Sequence, residues 1–280
     1  MDPIALRLGP ISVHWYGILI VLGALAGAYV ASREAKRRGW DPDHIWNALF
    51  ITLVLGIIGA RLYHVLTPSP SSGLSIAYFL SHPEYIVATW QGGLGIYGGI
   101  AGGMLGFYLY TRFNHLDFWR WADVAIIGLP VGQAIGRWGN FVNQELYGRP
   151  ADLPWGIYID PAHRYPGYEA YSRFHPTFLY ESLWSLGVFL VLIYMSRRWG
   201  ERLLKGELVC VYLVLYPLGR ILVEFYRLDS TAVSGIPVAQ WLSAVVIVVS
   251  AAVIAYRRFI GHEQPSSWDS ELKKVASPAQ

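Results

Sequence analysis

Two arginines lie where charge is unusual in this sequence, within or beside long apolar segments. Arg137 follows the apolar residues 124–135, and Arg220 lies in the apolar segment 207–226. If that segment is helical, its rise of 1.5 Å per residue puts Arg220 about 9 Å inside it. An arginine at the centre of a bilayer costs about 2.5–3.5 kcal/mol, so such a residue indicates a functional site. A planar guanidinium group suits phosphate better than an ammonium group does, so the pair predicts a site for a phosphate-bearing anion.

Polar neighbours extend this pattern around both arginines. Asn140 and Glu145 follow Arg137 in the run 136–148, which also contains Asn143. In the other segment, spacings of four, four and three residues put four side chains on one stripe of a helix: Tyr216, Arg220, Glu224 and Arg227.

The simplest interpretation of the second stripe is a self-neutralising pair. Arg220 and Glu224 are four residues apart and can balance each other within a helix bundle. That pair does not explain the presence of Arg137, however. The alternative is an anionic ligand bound by both arginines, and the lack of lysine within any apolar segment favours phosphate recognition over nonspecific charge balance.

Several kinds of protein are excluded by what the sequence lacks. It has no G-x-S-x-G, H-E-x-x-H or Walker motif, so a lipase, a zinc protease or an NTPase is not indicated. Its residues show no metal-ligand spacing, and we expect no metal, no cofactor and no nucleic acid as partner. The single cysteine, Cys210, lies in an apolar run and is expected to be a small buried hydrophobe. An enzyme of this kind must therefore take both nucleophile and leaving group from its substrates.

The composition is that of an integral membrane protein. Of 280 residues, 54% are hydrophobic and 15% are charged, against roughly 25% charged in soluble domains. We predict an all-α polytopic membrane protein with about seven transmembrane helices, forming a single membrane domain over 1–280. The first apolar segment is expected to be a retained span and not a cleaved signal. The seven apolar segments long enough or nearly long enough to cross a bilayer are 12–31, 45–66, 93–111, 119–138, 176–196, 207–226 and 237–256.

The distribution of Lys and Arg predicts the orientation of these segments. Fourteen of the 22 basic residues fall in alternate connections and at the C-terminus, which is expected to be the cytoplasmic side. The N-terminus is then outside, residues 139–175 form an inserted outer cap, and 257–280 form a cytoplasmic tail. Proline, glycine and aromatic residues in the cap favour an ordered structure with one strand pair near 155–159. The cap is interpreted as a lid that faces a partner or as a simple connector.

Three further positions allow two interpretations each. The sequence His14-Trp15-Tyr16 is typical of an aromatic anchor at the membrane interface, although the histidine does not fit that role well. Arg61 lies near the outer end of its segment and either extends to the headgroups or belongs to the site. Tyr97 lies among glycines spaced four residues apart, which either serve close helix packing or leave backbone free to line a substrate cavity.

Taken together, these motifs resemble the bacterial prolipoprotein diacylglyceryl transferases over nearly the whole chain. The resemblance implies that the diacylglyceryl group of phosphatidylglycerol is transferred to the thiol of the lipobox cysteine of a preprolipoprotein, forming a thioether and releasing glycerol phosphate. It also implies a bacterial cytoplasmic (inner) membrane location, a seven-span fold with a small outer head and an active site that faces the outer leaflet. The motifs are His14-Trp15-Tyr16-Gly17, Gly59-Ala60-Arg61-Leu62, Gly98-Gly99, 136–148, His175-Pro176, Tyr180-Glu181, Gly219-Arg220 and Glu224-Phe225-Tyr226-Arg227.

The resemblance also implies roles for individual residues. Arg137 and Arg220 would bind the phosphate and stabilise the charge that grows on it. Asn140 and Glu145 would shape the headgroup site and orient Arg137, while Glu224 would fix Arg220. Tyr16 would line the lipid pocket, and His175 with Tyr180 would position the cap or the incoming peptide. The expected substrate-binding residues are His14, Tyr16, Arg61, Arg137, Asn140, Arg220 and Glu224, and the expected catalytic residues are Tyr97, Arg137, Glu145 and Arg220.

One departure from the family leaves the proton acceptor open. Many members have histidine where this chain has Tyr97. A cysteine thiol with a pKa of about 8.5 is only a few per cent ionised at pH 7, so a base is useful. The pKa of Tyr97 has to be lowered, which costs roughly 4 kcal/mol, for this side chain to act as the base at neutral pH. The alternatives are that His14 accepts the proton, or that the thiol ionises against Arg137 and Arg220 with no dedicated base.

Two other functions compete with transfer. A transporter or lipid flippase would use its arginines to carry an anionic headgroup, but the two segments that carry them lack the matching contexts typical of transporter repeats. A lipid-binding scaffold without activity is the third hypothesis.

Overall fold

The structure, a computed structural model, describes residues 2–8, 11–68, 74–89, 92–228, 232–233 and 236–265. Within these ranges the chain is mostly helical. The helices are α1 Trp15–Arg37, α2 Asp43–Leu66, α3 Ile76–Ser81, α4 Glu84–Val87, α5 Ile96–Phe113, α6 Phe118–Asn143, α7 Thr177–Trp199, α8 Glu207–Glu224 and α9 Val238–Ala255. One turn of 3₁₀-helix follows α7 at Gly200–Arg202, and a π-helical turn, Tyr256–Ile260, follows α9.

In the part of the chain that the structure describes, three short antiparallel strand pairs interrupt the helices. The strands are β1 Ile4–Leu8, β2 Ile11–His14, β3 Ile157–Tyr158, β4 Arg173–Phe174, β5 Ala232–Val233 and β6 Ile236–Pro237, paired as β1–β2, β3–β4 and β5–β6. Residues 11–14 therefore pair with β1, with His14 opposite Ile4, and the first helix begins at Trp15 and not at residue 12. The strand pair expected in the cap near 155–159 is β3–β4.

Among the described residues, four helical segments are long and apolar enough to cross a membrane: Trp15–Arg37, Asp43–Leu66, Thr177–Arg202 and Val238–Ile260. In α9, Val245, Val248 and Val249 are each more than half exposed, as expected for side chains that face lipid. The other three expected segments lie in α5, α6 and α8. Both α6 and α8 continue through a proline, Pro130 and Pro217 respectively.

The chain divides into two compact units. One consists of Met1–Arg38 and Ala122–Gln280, and the other of Gly39–Trp121. In the first unit, Ile127, Val188, Leu192 and Tyr212 belong to a buried core shared by α6, α7 and α8.

Glycines bring α1 and α6 into backbone contact in the first unit. A Cβ atom built at Gly128 would lie 2.0 Å from the carbonyl oxygen of Gly27, and one at Gly23 would lie 2.7 Å from that of Gly132. No side chain fits at these positions, so the helices pack by the close approach typical of small residues in membranes.

The start of α8 is bound by a carboxylate from α6. Asp123 accepts hydrogen bonds from the backbone N–H groups of Gly206 (2.7 Å) and Val209 (3.1 Å). A carboxylate at a helix N-terminus satisfies free donors and complements the helix dipole.

The second unit is built on α2 and α5, which also meet through glycines. A Cβ atom at Gly98 would lie 2.2 Å from the carbonyl oxygen of Gly59, and one at Gly102 would lie 2.2 Å from that of Leu55. Gly99 and Gly103 face the same helix at ordinary contact distance. Gly98 and Gly102 make the closest backbone contacts, so close helix packing explains these two glycines.

Candidate active site

Three helices bring charged side chains together around one carboxylate, that of Glu181 near the start of α7. Nε of Arg137, on α6, lies 2.9 Å from Oε2 of Glu181, and Nη1 of Arg220, on α8, lies 3.1 Å from Oε1. Glu181 is only 8% exposed. The two arginines that stand out in the sequence thus contact different oxygens of one buried carboxylate.

A second carboxylate completes the group. Oε2 of Glu224 lies 2.7 Å from Nη2 of Arg220 and 3.9 Å from Nε of Arg227. Arg227 is also 3.8 Å from Glu181. These five residues, Arg137, Glu181, Arg220, Glu224 and Arg227, are called the arginine cluster below. Its three guanidinium groups face two carboxylates, and a partly buried excess of positive charge attracts an anion.

The self-neutralising pair of the simplest interpretation is therefore present but is not isolated. Arg220 contacts Glu224, yet it also shares Glu181 with Arg137 and Arg227. A network that brings three helices to one point has a geometry that a single i,i+4 pair does not need.

Asn140 connects Arg137 to Glu145. Its Oδ1 accepts a long hydrogen bond of 3.5 Å from Nη1 of Arg137, and its Nδ2 donates to Oε1 of Glu145 at 3.0 Å. Asn143 donates to the same glutamate oxygen at 3.3 Å. Glu145 is exposed. It thus acts on Arg137 through Asn140, whose amide it holds in place.

The chain leaves α6 through two residues with left-handed backbone conformation, Gln144 (φ 53°) and Leu146 (φ 55°). A non-glycine residue in this region costs on the order of 1–3 kcal/mol and is held there by its surroundings. The amide of Gln144 donates to the Asp160 carboxylate, and its Oε1 accepts from the Asp160 backbone N–H at 2.6 Å. The Thr177 hydroxyl donates to the carbonyl of Leu146. The cap and the start of α7 therefore fix the turn that follows Arg137 and Asn140.

Backbone contacts hold the cap segment against the ends of α7 and α8. The N–H of Gly148 donates to the carbonyl of His175 (2.9 Å), and the N–H of Arg149 donates to that of Tyr226 (2.7 Å). A Cβ atom at Gly148 would lie 2.8 Å from both His175 Cβ and Tyr226 O, so this approach requires glycine. The interior of the cap is a small core of Tyr147, Ile159 and Phe174.

His175 and Tyr180, expected to position the cap, contact each other. Nδ1 of His175 lies 3.0 Å from the Tyr180 hydroxyl, which also accepts a hydrogen bond from the Trp155 indole at 3.1 Å. Burial lowers the pKa of His175. Burial thus favours the neutral imidazole.

An open groove of about 550 Å³ lies beside the arginine cluster. Its lining is mostly aromatic and apolar, and it includes Gly219, which immediately precedes Arg220 in α8. The aromatic and imidazole side chains that line it are Trp155, His175, Tyr180, Trp184 and Tyr226. The arrangement combines a positively charged point with an adjacent apolar surface, which suits an amphipathic molecule carrying a phosphate.

Tyr16 and His14 lie at the start of α1. A Cβ atom at Gly139 would lie 2.5 Å from Cδ2 of Tyr16, so the tyrosine ring packs directly on the α6 backbone between Arg137 and Asn140. Tyr16 is 38% exposed, as expected for a residue at the edge of a site. His14 is an exposed residue at the end of β2.

Arg61 and Tyr97 belong to the second unit. Arg61 is buried, and its guanidinium group donates to four backbone carbonyls, those of Tyr85, Ile86 (3.0 Å), Gly92 (2.6 Å) and Gly93 (2.9 Å). Its side chain therefore points into the protein, which does not fit a side chain extended to the headgroups, and it holds the connection between α4 and α5. Tyr97 lies in the first turn of α5, is exposed, and has its ring centroid 5.9 Å from that of Tyr63.

Two members of the arginine cluster were not among the expected site residues. Glu181 and Arg227 both occur in family motifs without an assigned role, and Arg227 is also part of the α8 stripe. A signal for Glu181 was available, because it is the single charged residue in the apolar segment 176–196. A charge within such a segment indicates a function by itself.

Comparison with known proteins shows a match over nearly the whole chain. Residues 3–256 match the family model described as prolipoprotein diacylglyceryl transferase. The chain is similar to proteins named phosphatidylglycerol–prolipoprotein diacylglyceryl transferase from several bacteria. The protein from Chloroflexus aggregans is 42% identical over 91% of this chain and 87% of the relative. The one from Trichormus variabilis is 42% identical over 91% and 89%, and the one from Bacillus licheniformis is 40% identical over 94% and 95%.

Proposed function

Because the chain belongs to the prolipoprotein diacylglyceryl transferase family, we propose that it transfers the diacylglyceryl group of phosphatidylglycerol to the lipobox cysteine of a preprolipoprotein. The protein is a transferase of lipoprotein biosynthesis. In the reaction, the cysteine sulfur forms a bond to the glyceryl carbon that carries the phosphate. The bond between that carbon and the phosphate oxygen breaks, and glycerol phosphate leaves with the electron pair. The thiol proton passes to a base or to solvent.

The observation that carries this proposal is the arginine cluster with its excess of positive charge. A guanidinium group has five N–H donors. Arg137 uses its Nε for Glu181 and its Nη1 for Asn140, so it keeps donors for a phosphate oxygen. Arg137 and Arg220 bind the phosphate from two helices, and the shared Glu181 sets the distance between them.

The same arginines stabilise the transition state. Negative charge grows on the phosphate oxygen as the carbon–oxygen bond breaks, and donors aimed at such a position contribute strongly to catalysis. Glu181 and Glu224 orient the two arginines before substrate binds. Asn140 and Glu145 hold Arg137 from the other side, so the positions of its donors are determined by the folded protein and not by the substrate.

The apolar parts of the substrates occupy the surfaces next to the cluster. Tyr16, packed on Gly139 between Arg137 and Asn140, lines the lipid site. The groove between the cap and α7 and α8 takes apolar substrate segments. Support for this comes from its aromatic lining and from its position beside Arg220.

Tyr97 is proposed as the proton acceptor, with His14 and direct ionisation of the thiol as the alternatives. The two guanidinium groups cannot accept a proton, and both carboxylates of the cluster are engaged in ion pairs. A separate base is therefore useful for a thiol that is mostly protonated at neutral pH. Arg61 is proposed as a residue that shapes the substrate site through the connection it holds.

We further propose seven membrane-spanning helices in the bacterial cytoplasmic membrane, with the N-terminus outside, the C-terminus inside and the active site facing the outer leaflet. Each expected segment coincides over most of its length with a helix of 18 residues or more. The unequal distribution of Lys and Arg supports the orientation. Residues 139–175 are then the outer head. The tail 257–280 lies outside the described residues from 266 onward.

The decisive experiment is a transfer assay with purified protein, phosphatidylglycerol and a lipobox peptide. We expect the peptide to gain one diacylglyceryl mass on its cysteine, with one glycerol phosphate released per peptide, as measured by mass spectrometry. A peptide in which serine replaces the cysteine is the control and should gain nothing. Movement of phosphatidylglycerol between leaflets without any covalent product would instead favour a transporter and overturn the proposal.

A further inference from the structure

A second basic site lies at the end of α7 that is remote from Glu181. A cavity of about 490 Å³ opens there, where the end of α1 meets the end of α7. It is called the basic pocket below. Five arginines line it: Arg37, Arg38, Arg197, Arg198 and Arg202.

Carboxylates neutralise part of this charge. Buried Glu34 lies 2.6 Å from Arg37, 3.3 Å from Arg38 and 3.5 Å from Arg197, and it also accepts a hydrogen bond from the Ser196 hydroxyl. Glu201 is the one acidic residue that lines the pocket itself. Five arginines against Glu34 and Glu201 leave the surroundings of the pocket with a net positive charge.

The positive charge expected on one side of a membrane protein does not explain this arrangement. That rule accounts for the number of basic residues at this end of the helices, but it does not require them to surround a cavity. Arg198 and Arg202 are exposed at the pocket. Neither is needed to hold Glu34, which has three arginines of its own.

An exposed aromatic pair lies next to the pocket. Trp199 is one of its lining residues, and its ring meets that of Tyr194 edge to face with centroids 5.5 Å apart. Both rings are exposed, Tyr194 by 57%. Aromatic rings of this kind lie at the headgroup level of membranes. A phosphate held in the pocket would therefore have apolar surface beside it, which fits a lipid better than a free ion.

We propose that the basic pocket binds the phosphate of an anionic phospholipid at the membrane surface reached by the C-terminal end of α7. The guanidinium forks of Arg198 and Arg202 take the phosphate oxygens. The acyl chains lie along Tyr194 and Trp199. Basic pockets between membrane helices are suited to such headgroups. The lipid here is a structural ligand, independent of the lipid consumed in the proposed reaction.

The test measures binding of phosphatidic acid, a lipid with a bare phosphate headgroup, to the purified full chain by native mass spectrometry. The double substitution Arg198→Gln with Arg202→Gln should weaken binding of one phosphatidic acid molecule about tenfold. The matched control is Arg33→Gln with Arg112→Gln, which removes two exposed arginines outside the pocket and should leave binding unchanged. Arg198→Lys with Arg202→Lys keeps the charge and should weaken binding less.

Three other outcomes would overturn the proposal. Equal losses in the pocket variant and the control would mean nonspecific surface charge. Unchanged binding in the lysine variant would contradict recognition by guanidinium forks, and this variant carries the test if the glutamine variant does not fold. Displacement of the lipid by inorganic phosphate at the same concentration would assign the pocket to a free anion.

Discussion

Helix α7 carries a carboxylate–arginine group near each end, and the two differ in how they are built. At one end, Glu181 holds Arg137, Arg220 and Arg227 from α6, from α8 and from just after α8. At the other end, Glu34 of α1 holds Arg37 in the last turn of α1, Arg38 immediately after it, and Arg197 of α7. Glu181 and Arg197 are 16 residues apart, or about 24 Å along a helix.

Local pairs form as soon as a helix forms, whereas convergence from several helices needs the whole fold. The i,i+3 and i,i+4 contacts of Glu34 belong to the first kind. Taken as a set, the arginines of the first group are less exposed. The side chains of Arg137 and Arg220 are 22% exposed and that of Arg227 is 6% exposed. In the second group Arg38 is 4% exposed, but Arg37 and Arg197 are 42% and 60% exposed. Low solvent exposure strengthens electrostatic interactions. Position and burial together suit the first group to catalysis and the second to holding a headgroup.

The same substitution in both groups gives the largest expected difference. Arg137→Lys keeps the charge and removes the fork, so we expect transfer activity to fall about 10²- to 10³-fold. Arg197→Lys, the matched control, should change activity by less than about twofold, because exposed ion pairs contribute little. Initial rates of peptide modification measure both. Near-normal turnover of the Arg137 variant would contradict bidentate phosphate recognition.

Replacing the central carboxylates, Glu181 and Glu34, with amides tests whether each one positions arginines for catalysis or stabilises the fold. Glu181→Gln should lower kcat by roughly 10- to 100-fold, because small displacements of catalytic groups are costly. Glu34→Gln should lower the thermal unfolding midpoint and leave kcat unchanged at a permissive temperature, since it leaves buried arginine charge unpaired. Steady-state kinetics and thermal unfolding are measured on both variants. If Glu181→Gln changes only the unfolding midpoint, its role is structural.

The proton acceptor is tested by the pH dependence of Tyr97→Phe. A thiol with a pKa of about 8.5 is largely ionised at pH 9 and needs little help there. If Tyr97 is the base, we expect the loss of rate at pH 7 to exceed the loss at pH 9 by about tenfold. His14→Gln, measured in the same way, should lose equally at both pH values. If instead His14→Gln shows the larger loss at pH 7 and Tyr97→Phe loses equally at both pH values, His14 is the base. Equal losses at both pH values for both variants would favour direct ionisation of the thiol.

The smallest expected effect is a change in protein stability with pH, which arises from His175 near the first group. Burial lowers the pKa of His175, so the folded protein binds its proton less readily than the unfolded chain does. Its contribution to stability is therefore present above the ordinary pKa of about 6.5 and is lost as the pH falls through the lowered value. The difference in unfolding midpoint between the unmodified chain and His175→Gln should shrink between about pH 7.5 and pH 5.5. A difference that is constant with pH would contradict this.

The sequence was sufficient to predict the seven long helices and the two principal arginines, but not the short helices α3 and α4. Charge in an apolar segment is conspicuous, so Arg137 and Arg220 could be found one residue at a time. Their common partner Glu181 required knowledge of which helices meet, which apolar patterns do not contain. The four carbonyl partners of Arg61 lie in the short helix α4 and just before α5. No periodic pattern in the sequence indicates that these segments meet Arg61. Strand β2 was read as part of a span because Ile-Ser-Val-His is short and continuous with the apolar run after it, and its pairing with β1 is a tertiary contact.

Because Glu181 lies between its partners in the sequence, the residues of the arginine cluster are synthesised at different times. Arg137 and Glu181 emerge first, and Arg220, Glu224 and Arg227 follow about 40 residues later, or on the order of seconds at bacterial synthesis rates. The contact between Arg149 and Tyr226 cannot close before then either. A nascent chain stopped before residue 220 therefore has Arg137 and Glu181 without the charged partners from α8, and its cap lacks the contact with Tyr226.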